Sequence, residues 1–180
     1  MDYPVGSVRP LSTVHTYSLE SIGQNIVNFN TSGDMAGLGG QFWPLANLAM
    51  YIPFCLSVTI TIAKLWLYVG VAANNWDIGI YDEAGTRLVS SGSTAAASTG
   101  IEVADVTDTV VGPGLFYFGQ AWNGTAGGPH GLVLTGLVYA QRSIGIVEQT
   151  SAFPLPATAT FAAFARTIIP FMGLSRIVAI

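Results

Sequence analysis

Charged side chains are scarce in this chain of 180 residues: six are basic and ten are acidic, together 9% of the sequence, whereas 51% of the residues are hydrophobic. A typical soluble domain carries about 25% charged residues. Intrinsic disorder requires low hydrophobicity and high charge, so this composition excludes it. The basic residues are dispersed along the chain and form no stripe that would neutralise phosphates. Binding to nucleic acid or to an anionic membrane surface is therefore not expected.

The scarcity of charge also has a consequence for the surface. A compact monomer of this mass exposes about 8,300 Å², and a solvated surface is usually about a quarter to a third charged. Each standard contact with another chain hides roughly 800 Å² per partner. Either small polar residues coat this protein or other chains cover much of it, and we favour a subunit of an assembly.

Long uncharged runs raise the alternative of a membrane-spanning helix, because residues 37–63 contain no charge. Pro44 and Pro53 would interrupt such a helix, and residues 57–63 alternate between polar and apolar with the period of a strand. The first six residues lack the basic and apolar regions of a secretory signal. We expect neither membrane insertion nor export.

Reactive side chains are few. The two histidines, His15 and His130, and the single cysteine, Cys55, are far apart in sequence, and no nucleophile elbow is present. We predict that the protein is not an enzyme, that it needs no cofactor and no metal, and that Cys55 is a buried small hydrophobe. Six carboxylates fall between residues 77 and 108, which leaves a calcium site or a carboxylate pair of a glycosidase as weaker alternatives.

Short apolar segments separated by turn signals make up most of the chain. They recur about every ten residues, as in an all-β sandwich or barrel. The candidate strands are 25–30, 48–56, 58–69, 76–81, 87–91, 101–106, 115–122 and 131–140. Pro53 indicates an edge or a bulge, and short helical pieces near 157–165 are an alternative. Asp82–Gly85 fits a hairpin turn, Gly112–Gly114 a second tight turn, and 90–100 an exposed crossing between sheets.

Three segments resemble recurrent parts of the virion proteins of tailed bacteriophages. They are WDIGIYDEAGTRLVSSGST at 76–94, GPGLFY at 112–117 and AFPLPAT at 152–158. The resemblance covers about residues 45–160 and implies a jelly-roll-like β-sandwich in a tail, neck or head-surface component of a virion. It also implies contacts with copies of itself, a trimer being the expected form, and with other virion proteins. Related hairpins occur in bacterial carbohydrate-binding β-sandwiches.

The resulting division of the chain is an N-terminal arm or first strands at 1–44, a β-sandwich at 45–150 and an apolar C-terminal arm at 151–180. The arm either closes the sandwich of its own subunit or runs across a neighbour, and we favour the neighbour. The predicted assembly residues are Phe153, Pro154, Leu155, Phe161, Phe164, Ile169, Phe171, Ile177, Val178 and Ile180.

Aromatic side chains offer a second hypothesis, a module that binds a host-surface glycan. Aromatic rings stack on sugars, although rings in strands more often belong to the core. Trp122 and Asn123, at the end of a predicted strand, are the candidate glycan contacts.

Overall fold

The computed structural model describes residues 25–27, 39–133, 145–166, 168–170 and 172–176. Their secondary structure consists of strands, which are numbered in chain order. The strands are β1 (Asn25–Val27), β2 (Gly39–Gly40), β3 (Leu48–Leu56), β4 (Ile60–Val71), β5 (Asn75–Asp82), β6 (Arg87–Ser90), β7 (Thr94–Ala95), β8 (Gly100–Val111), β9 (Gly114–Trp122), β10 (Gly128–Val133), β11 (Val147–Gln149), β12 (Ala162–Ala163), β13 (Ile168–Pro170) and β14 (Met172–Arg176).

Two antiparallel sheets pack against each other, so the predicted all-β sandwich is confirmed. The first sheet has the order β1-β14-β4-β10-β13, with β2 beside β10 and β8 beside β4. The second has the order β12-β11-β3-β9-β5-β6, with β7 beside β5. From β3 to β10 the chain crosses repeatedly between the sheets, as connections in a jelly roll do.

Alternation along the strands builds the core between the sheets. In β9, Phe116, Phe118 and Trp122 point inward and are buried. Leu65 and Leu67 of β4 face them from the first sheet. Because a strand turns successive side chains to opposite faces, Tyr117, Gly119 and Ala121 of β9 lie on the outer face.

Most strand predictions agree with the structure within two or three residues. β8 is an exception, because it runs from Gly100 to Val111 where 101–106 was predicted; the acidic and threonine residues of its second half hid the strand pattern. The ends of the predicted strands 25–30 and 131–140 lie outside the described residues. The turn at Asp82–Gly85 is confirmed: Gly85 has a φ of 83° and its amide donates to the Asp82 carbonyl at 3.0 Å. No helix occurs among the described residues near 157–165, which form a β-bridge at Thr158 and the short β12 instead.

Pro53 lies inside β3, which is a central strand of the second sheet. β3 pairs with β9 along its whole length, but β11 reaches only Ala49, Met50 and Tyr51. Beyond Tyr51 that side of β3 is an edge within the described sheet, where a residue without an N–H is tolerated. Cys55 lies in this same part of β3 and is exposed, so the prediction of a buried cysteine is wrong.

The C-terminal segment packs on its own chain wherever the structure describes it. β14 pairs with β4 on the side opposite β8, and β13 pairs with β10. Leu155, Phe164 and Ile169 are buried. We favoured a path across a neighbouring subunit, and these contacts correct that expectation. The reason is that β8 satisfies one side of β4 and leaves the backbone groups of the other side to be paired, which β14 does.

Other predicted assembly residues have different surroundings. Phe153 and Phe161 are partly buried and Pro154 is exposed. Phe171, Ile177, Val178 and Ile180 lie outside the residues whose side chains are described, as do most of residues 1–44.

Candidate functional site

The outer face of the second sheet is crossed by residues 150–161, which we call the strap. Backbone hydrogen bonds fix it at both ends: the Ala152 amide donates to the Asn47 carbonyl at 2.7 Å, and the Ala159 amide donates to the Gly85 carbonyl at 2.8 Å. Between them, the Arg87 amide donates to the Ala157 carbonyl at 2.9 Å. The strap is therefore held to loops and to an edge strand on opposite sides of the sheet.

A buried carboxylate anchors the middle of the strap. Asp77, on β5, has no exposed surface. Its Oδ2 accepts the Leu155 amide at 2.9 Å and its Oδ1 accepts the Ser91 hydroxyl at 3.1 Å. The Arg87 guanidinium donates to the Leu155 carbonyl. Burial raises the pKa of Asp77, and the hydrogen bonds and the nearby guanidinium oppose that rise only in part.

Aromatic rings fill the space beneath the strap. Tyr51 and Tyr81 meet edge to face with their centroids 5.1 Å apart, and Phe161 of the strap lies 5.2 Å from Tyr51 and 4.7 Å from Tyr117. Gly119 makes room for the tyrosines, since a Cβ there would lie 2.9 Å from the Tyr81 ring. Such ring pairs stabilise a structure beyond the area they bury.

The two tyrosine hydroxyls also bind the segments around the sheet. The Tyr81 hydroxyl donates to the Pro156 carbonyl at 2.7 Å. The Tyr51 hydroxyl donates to Gln149 Oε1 at 3.0 Å, and that oxygen also accepts the Thr160 amide at 2.8 Å. Burial raises the pKa of both tyrosines far above the ordinary value, so the hydroxyls stay protonated donors. The tyrosine hydroxyls of this face thus have partners within the chain, and their role is to hold the strap on the sheet.

The outer face of the first sheet is different where it meets β8. Tyr68, Trp66 and Lys64 of β4 stand opposite Ile101, Val103 and Asp105 of β8. Ile101 is 62% exposed and Val103 54% exposed, and Lys64 forms an ion pair with Asp105. We call Tyr68, Ile101, Val103 and the Lys64–Asp105 pair the open patch.

β8 continues past the open patch with a change of register. Ile62 of β4 is opposite Thr109 and Lys64 is opposite Asp105, so β8 bulges between these positions. After the bulge Val110 points outward and is 68% exposed. In the described part of the chain, β8 thus carries three exposed large hydrophobic side chains: Ile101, Val103 and Val110. Single exposed hydrophobic residues are common on protein surfaces, but several on one strand indicate an interaction site.

The core between the faces contains polar atoms without partners. Gln120 is fully buried and neither atom of its side-chain amide has a hydrogen-bond partner. The Trp122 indole N–H is in the same situation. By contrast, the Trp76 indole N–H donates to Glu102 Oε2 at 2.7 Å, which fixes a carboxylate of β8 against the core.

Of the two predicted glycan contacts, Trp122 is not available to a ligand in this structure, whereas Asn123 is exposed. Trp122 is fully buried between the sheets, so its ring cannot stack on a sugar. Asn123 Oδ1 accepts the Asn75 amide at 2.8 Å and holds two loops together. The inward parity of β9 explains the error, because position 122 lies on the same side as Phe116 and Phe118.

The acidic residues between 77 and 108 are distributed over different parts of the sandwich. Asp77 anchors the strap, Asp82 accepts the Thr86 amide in its turn at 2.7 Å, and Glu102 accepts the Ser98 amide at 2.9 Å. Within the described ranges no three His, Cys, Asp or Glu side chains are grouped as metal ligands. The same residues include no helix of the length and apolarity needed to cross a membrane.

No protein-family profile, curated protein or solved structure matches this chain. The strap and the open patch were both missed from the sequence. The alternation of Ile101, Val103 and Asp105 was a signal for the patch, because it predicts one outward row with two apolar members.

Proposed function

We propose that this protein is a non-enzymatic structural subunit that acts through protein–protein assembly, and that the assembly is a bacteriophage virion in which it forms a tail, neck or head-surface component. The observation that carries the assembly role is the open patch. It places Ile101 and Val103, each more than half exposed, beside one another on a sheet face. Apolar side chains grouped in this way mark protein interaction sites.

The composition supports the same role. Only 9% of the residues are charged, so the surface gains little solubility from repulsion between like molecules. Contact with other chains would remove the exposed valine and isoleucine from water, which is the dominant favourable term in association.

The virion part of the proposal depends on the resemblance of three segments. In the structure these segments meet: Asp77 from the first binds Leu155 from the third, and Tyr117 from the second contacts Phe161, which follows the third. Their contacts with one another support treating the three segments as one unit of resemblance.

Mass spectrometry of density-purified virus particles from the source of this sequence tests the proposal. We expect the full chain in the particles at a fixed ratio to the other structural proteins, and we expect it to stay bound after high-salt washing. Absence from the particles, or loss in the first wash, would overturn the virion role.

Deletion of residues 151–180 is a poor test of assembly. It would remove the strap and both β13 and β14. Loss of particles would then report misfolding of the sandwich. Substitutions in the open patch change the surface and leave the core intact, and they are the better test.

A further inference from the structure

The bend that follows β9 contains a dipeptide that occurs once in this chain. Asn123 is followed by Gly124, whereas each of the other six asparagines is followed by a residue with a side chain. The backbone nitrogen after an asparagine can attack the side-chain amide and close a cyclic imide, a succinimide. Glycine opposes this ring closure least, because it has no Cβ and a permissive backbone. Asn123 is also exposed, so water reaches it.

The nucleophile of such a reaction is the backbone nitrogen of Gly124. Gly124 lies between β9 and β10, outside the strand ladders. Among the described residues, none accepts a hydrogen bond from its N–H. Ring closure at this nitrogen therefore breaks no hydrogen bond of the described structure.

The electrophile is Cγ of the Asn123 side chain, and its surroundings activate it. The Asn75 amide donates to Asn123 Oδ1 at 2.8 Å. A backbone N–H in this position stabilises the negative charge that develops on the oxygen when a nucleophile attacks the carbon. Because a backbone N–H can only donate, it faces the oxygen of the side chain, and the leaving nitrogen Nδ2 lies on the other side.

Two other exposed asparagines, Asn47 and Asn74, lack this combination. The amide after Asn47 donates to the Leu45 carbonyl at 3.2 Å. The amide after Asn74 is the donor to Asn123 Oδ1. In both places ring closure would break a hydrogen bond and crowd a side chain, so these two residues are controls within the same chain.

Packing favours glycine at position 124. A Cβ at this position would lie 2.5 Å from Asn74 Nδ2. The Asn74 side chain is held in place because its Oδ1 accepts the Gly127 amide at 2.9 Å. A larger residue at 124 would have to displace it, and the residue that fits is the one that makes Asn123 reactive.

We propose that Asn123 is a site of spontaneous deamidation through a succinimide formed with Gly124. The Gly124 nitrogen loses its proton to solvent and forms a bond to Cγ of Asn123. The bond from Cγ to Nδ2 breaks, and Nδ2 takes a proton from solvent and leaves as ammonia. One water molecule then opens the ring at either carbonyl, which gives aspartate or isoaspartate. This inference does not depend on the proposed assembly role.

The two products differ in their effect on the fold. Aspartate keeps an oxygen that can accept the Asn75 amide. Isoaspartate carries the main chain through the former side-chain carbon, so it loses this acceptor geometry and lengthens the backbone after Trp122. Both products add one negative charge to a chain whose formal net charge is −4. We therefore expect Asn123→Asp to melt like the wild type and the isoaspartate form to melt at a lower temperature.

Incubation of the full chain at mildly alkaline pH, in water enriched in the heavy oxygen isotope, tests the inference by peptide mapping. A synthetic peptide of residues 119–128 is incubated in parallel. Asn123 should convert at least tenfold faster than Asn47 or Asn74, and at a rate within tenfold of the peptide. Both products should appear with one heavy oxygen, and conversion should be faster at higher pH because the attacking nitrogen must lose its proton.

Matched variants in the bend locate the reaction. Gly124→Ala should slow conversion at least tenfold, whereas Thr125→Ala, at an exposed position of the same bend, should change it less than twofold. Asn123→Gln should also slow it at least tenfold, because a glutamine would have to close a larger ring. Circular dichroism and thermal melting show whether each variant is folded.

Three outcomes would overturn the inference. One is an intact Asn123 after the peptide has been converted, which would mean that the fold protects it. Another is aspartate without isoaspartate, which would mean direct attack by water. The third is equal conversion of Asn47 or Asn74, which would remove any special role of the bend.

Discussion

The two outer faces of the sandwich differ in whether their apolar side chains are covered by the same chain. The second sheet presents tyrosines and small residues, and the strap covers them with Leu155 and Phe161 of the same chain. The first sheet presents Ile101 and Val103 of β8, and these side chains are exposed. Among the described residues, the chain covers one apolar face itself and leaves the other exposed, and this contrast supports the proposed assembly role.

The largest change in the free energy of unfolding is expected for a substitution under the strap. Leu155→Ala should lower the free energy of unfolding by about 3 kcal/mol, because a buried leucine is replaced by a cavity. Val103→Ala, a truncation on the open face, should change it by less than about 0.5 kcal/mol. Urea unfolding of both variants measures the difference. Equal losses would mean that the strap is not packed on the sheet.

The sequence predicted the sandwich well and its faces poorly, for a physical reason. Strands such as β3 and β9 show their inward residues by alternation, and their boundaries were correct within one residue. Burial of the outer face depends on a segment that is distant in sequence, as in the hydrogen bond between the Leu155 amide and Asp77, which are 78 residues apart. Such contacts leave no local pattern in the sequence. The apolar C-terminal segment was therefore expected to pack on a neighbouring subunit.

The same limit explains the error at Trp122. Alternation along β9 predicts the face on which this ring lies, but whether that face is inside or outside depends on where the first sheet packs. Trp122 lies on the inner face with Phe118, and both are buried. The sequence shows that Trp122 shares a face with Phe118, but it does not show whether that face is inside or outside. The packing of the two sheets decides this.

The second largest change in the free energy of unfolding is expected in the core between the two sheets. Gln120→Leu should raise the free energy of unfolding by about 1–2 kcal/mol, because a buried amide without partners is costly. Gln149→Leu, on the strapped side, should lower it by about the same amount, since Gln149 Oε1 accepts both the Tyr51 hydroxyl and the Thr160 amide. Chemical denaturation gives both values. A loss of stability in Gln120→Leu would show that this amide has a bound partner in solution.

The pH dependence of the strapped face comes next. Burial raises the pKa of Asp77 above the ordinary value of 3.8. A raised pKa in the folded state means that protonated Asp77 contributes stability that is complete below 3.8 and is lost as the pH rises through the folded pKa. We expect Asp77→Asn to be spared this loss, since an amide oxygen can still accept the Leu155 amide and the amide nitrogen can donate to Ser91.

Thermal melting of the wild type and of Asp77→Asn over a pH series measures this effect. The stability of the variant relative to the wild type should increase with pH above 3.8 and level off once Asp77 is ionised. Contributions of the other carboxylates cancel in the difference. A difference that stays flat over the series would show that Asp77 keeps its ordinary pKa under the strap.

The smallest effect is expected at the ion pair of the open patch. The side chains of Lys64 and Asp105 are 50% and 82% exposed, and exposed pairs contribute about 0.2–1 kcal/mol. Asp105→Asn should therefore lower the free energy of unfolding by less than about 0.5 kcal/mol, and 1 M salt should abolish the loss. Arg166→Met should lower the free energy of unfolding more than Asp105→Asn does. Its partner Glu148 is only 9% exposed and would be left as a buried charge without its ion-pair partner. A loss at Asp105 as large as that at Arg166, and insensitive to salt, would mean that β8 is already covered in the isolated chain, and the distinction between a closed and an open face would then fail.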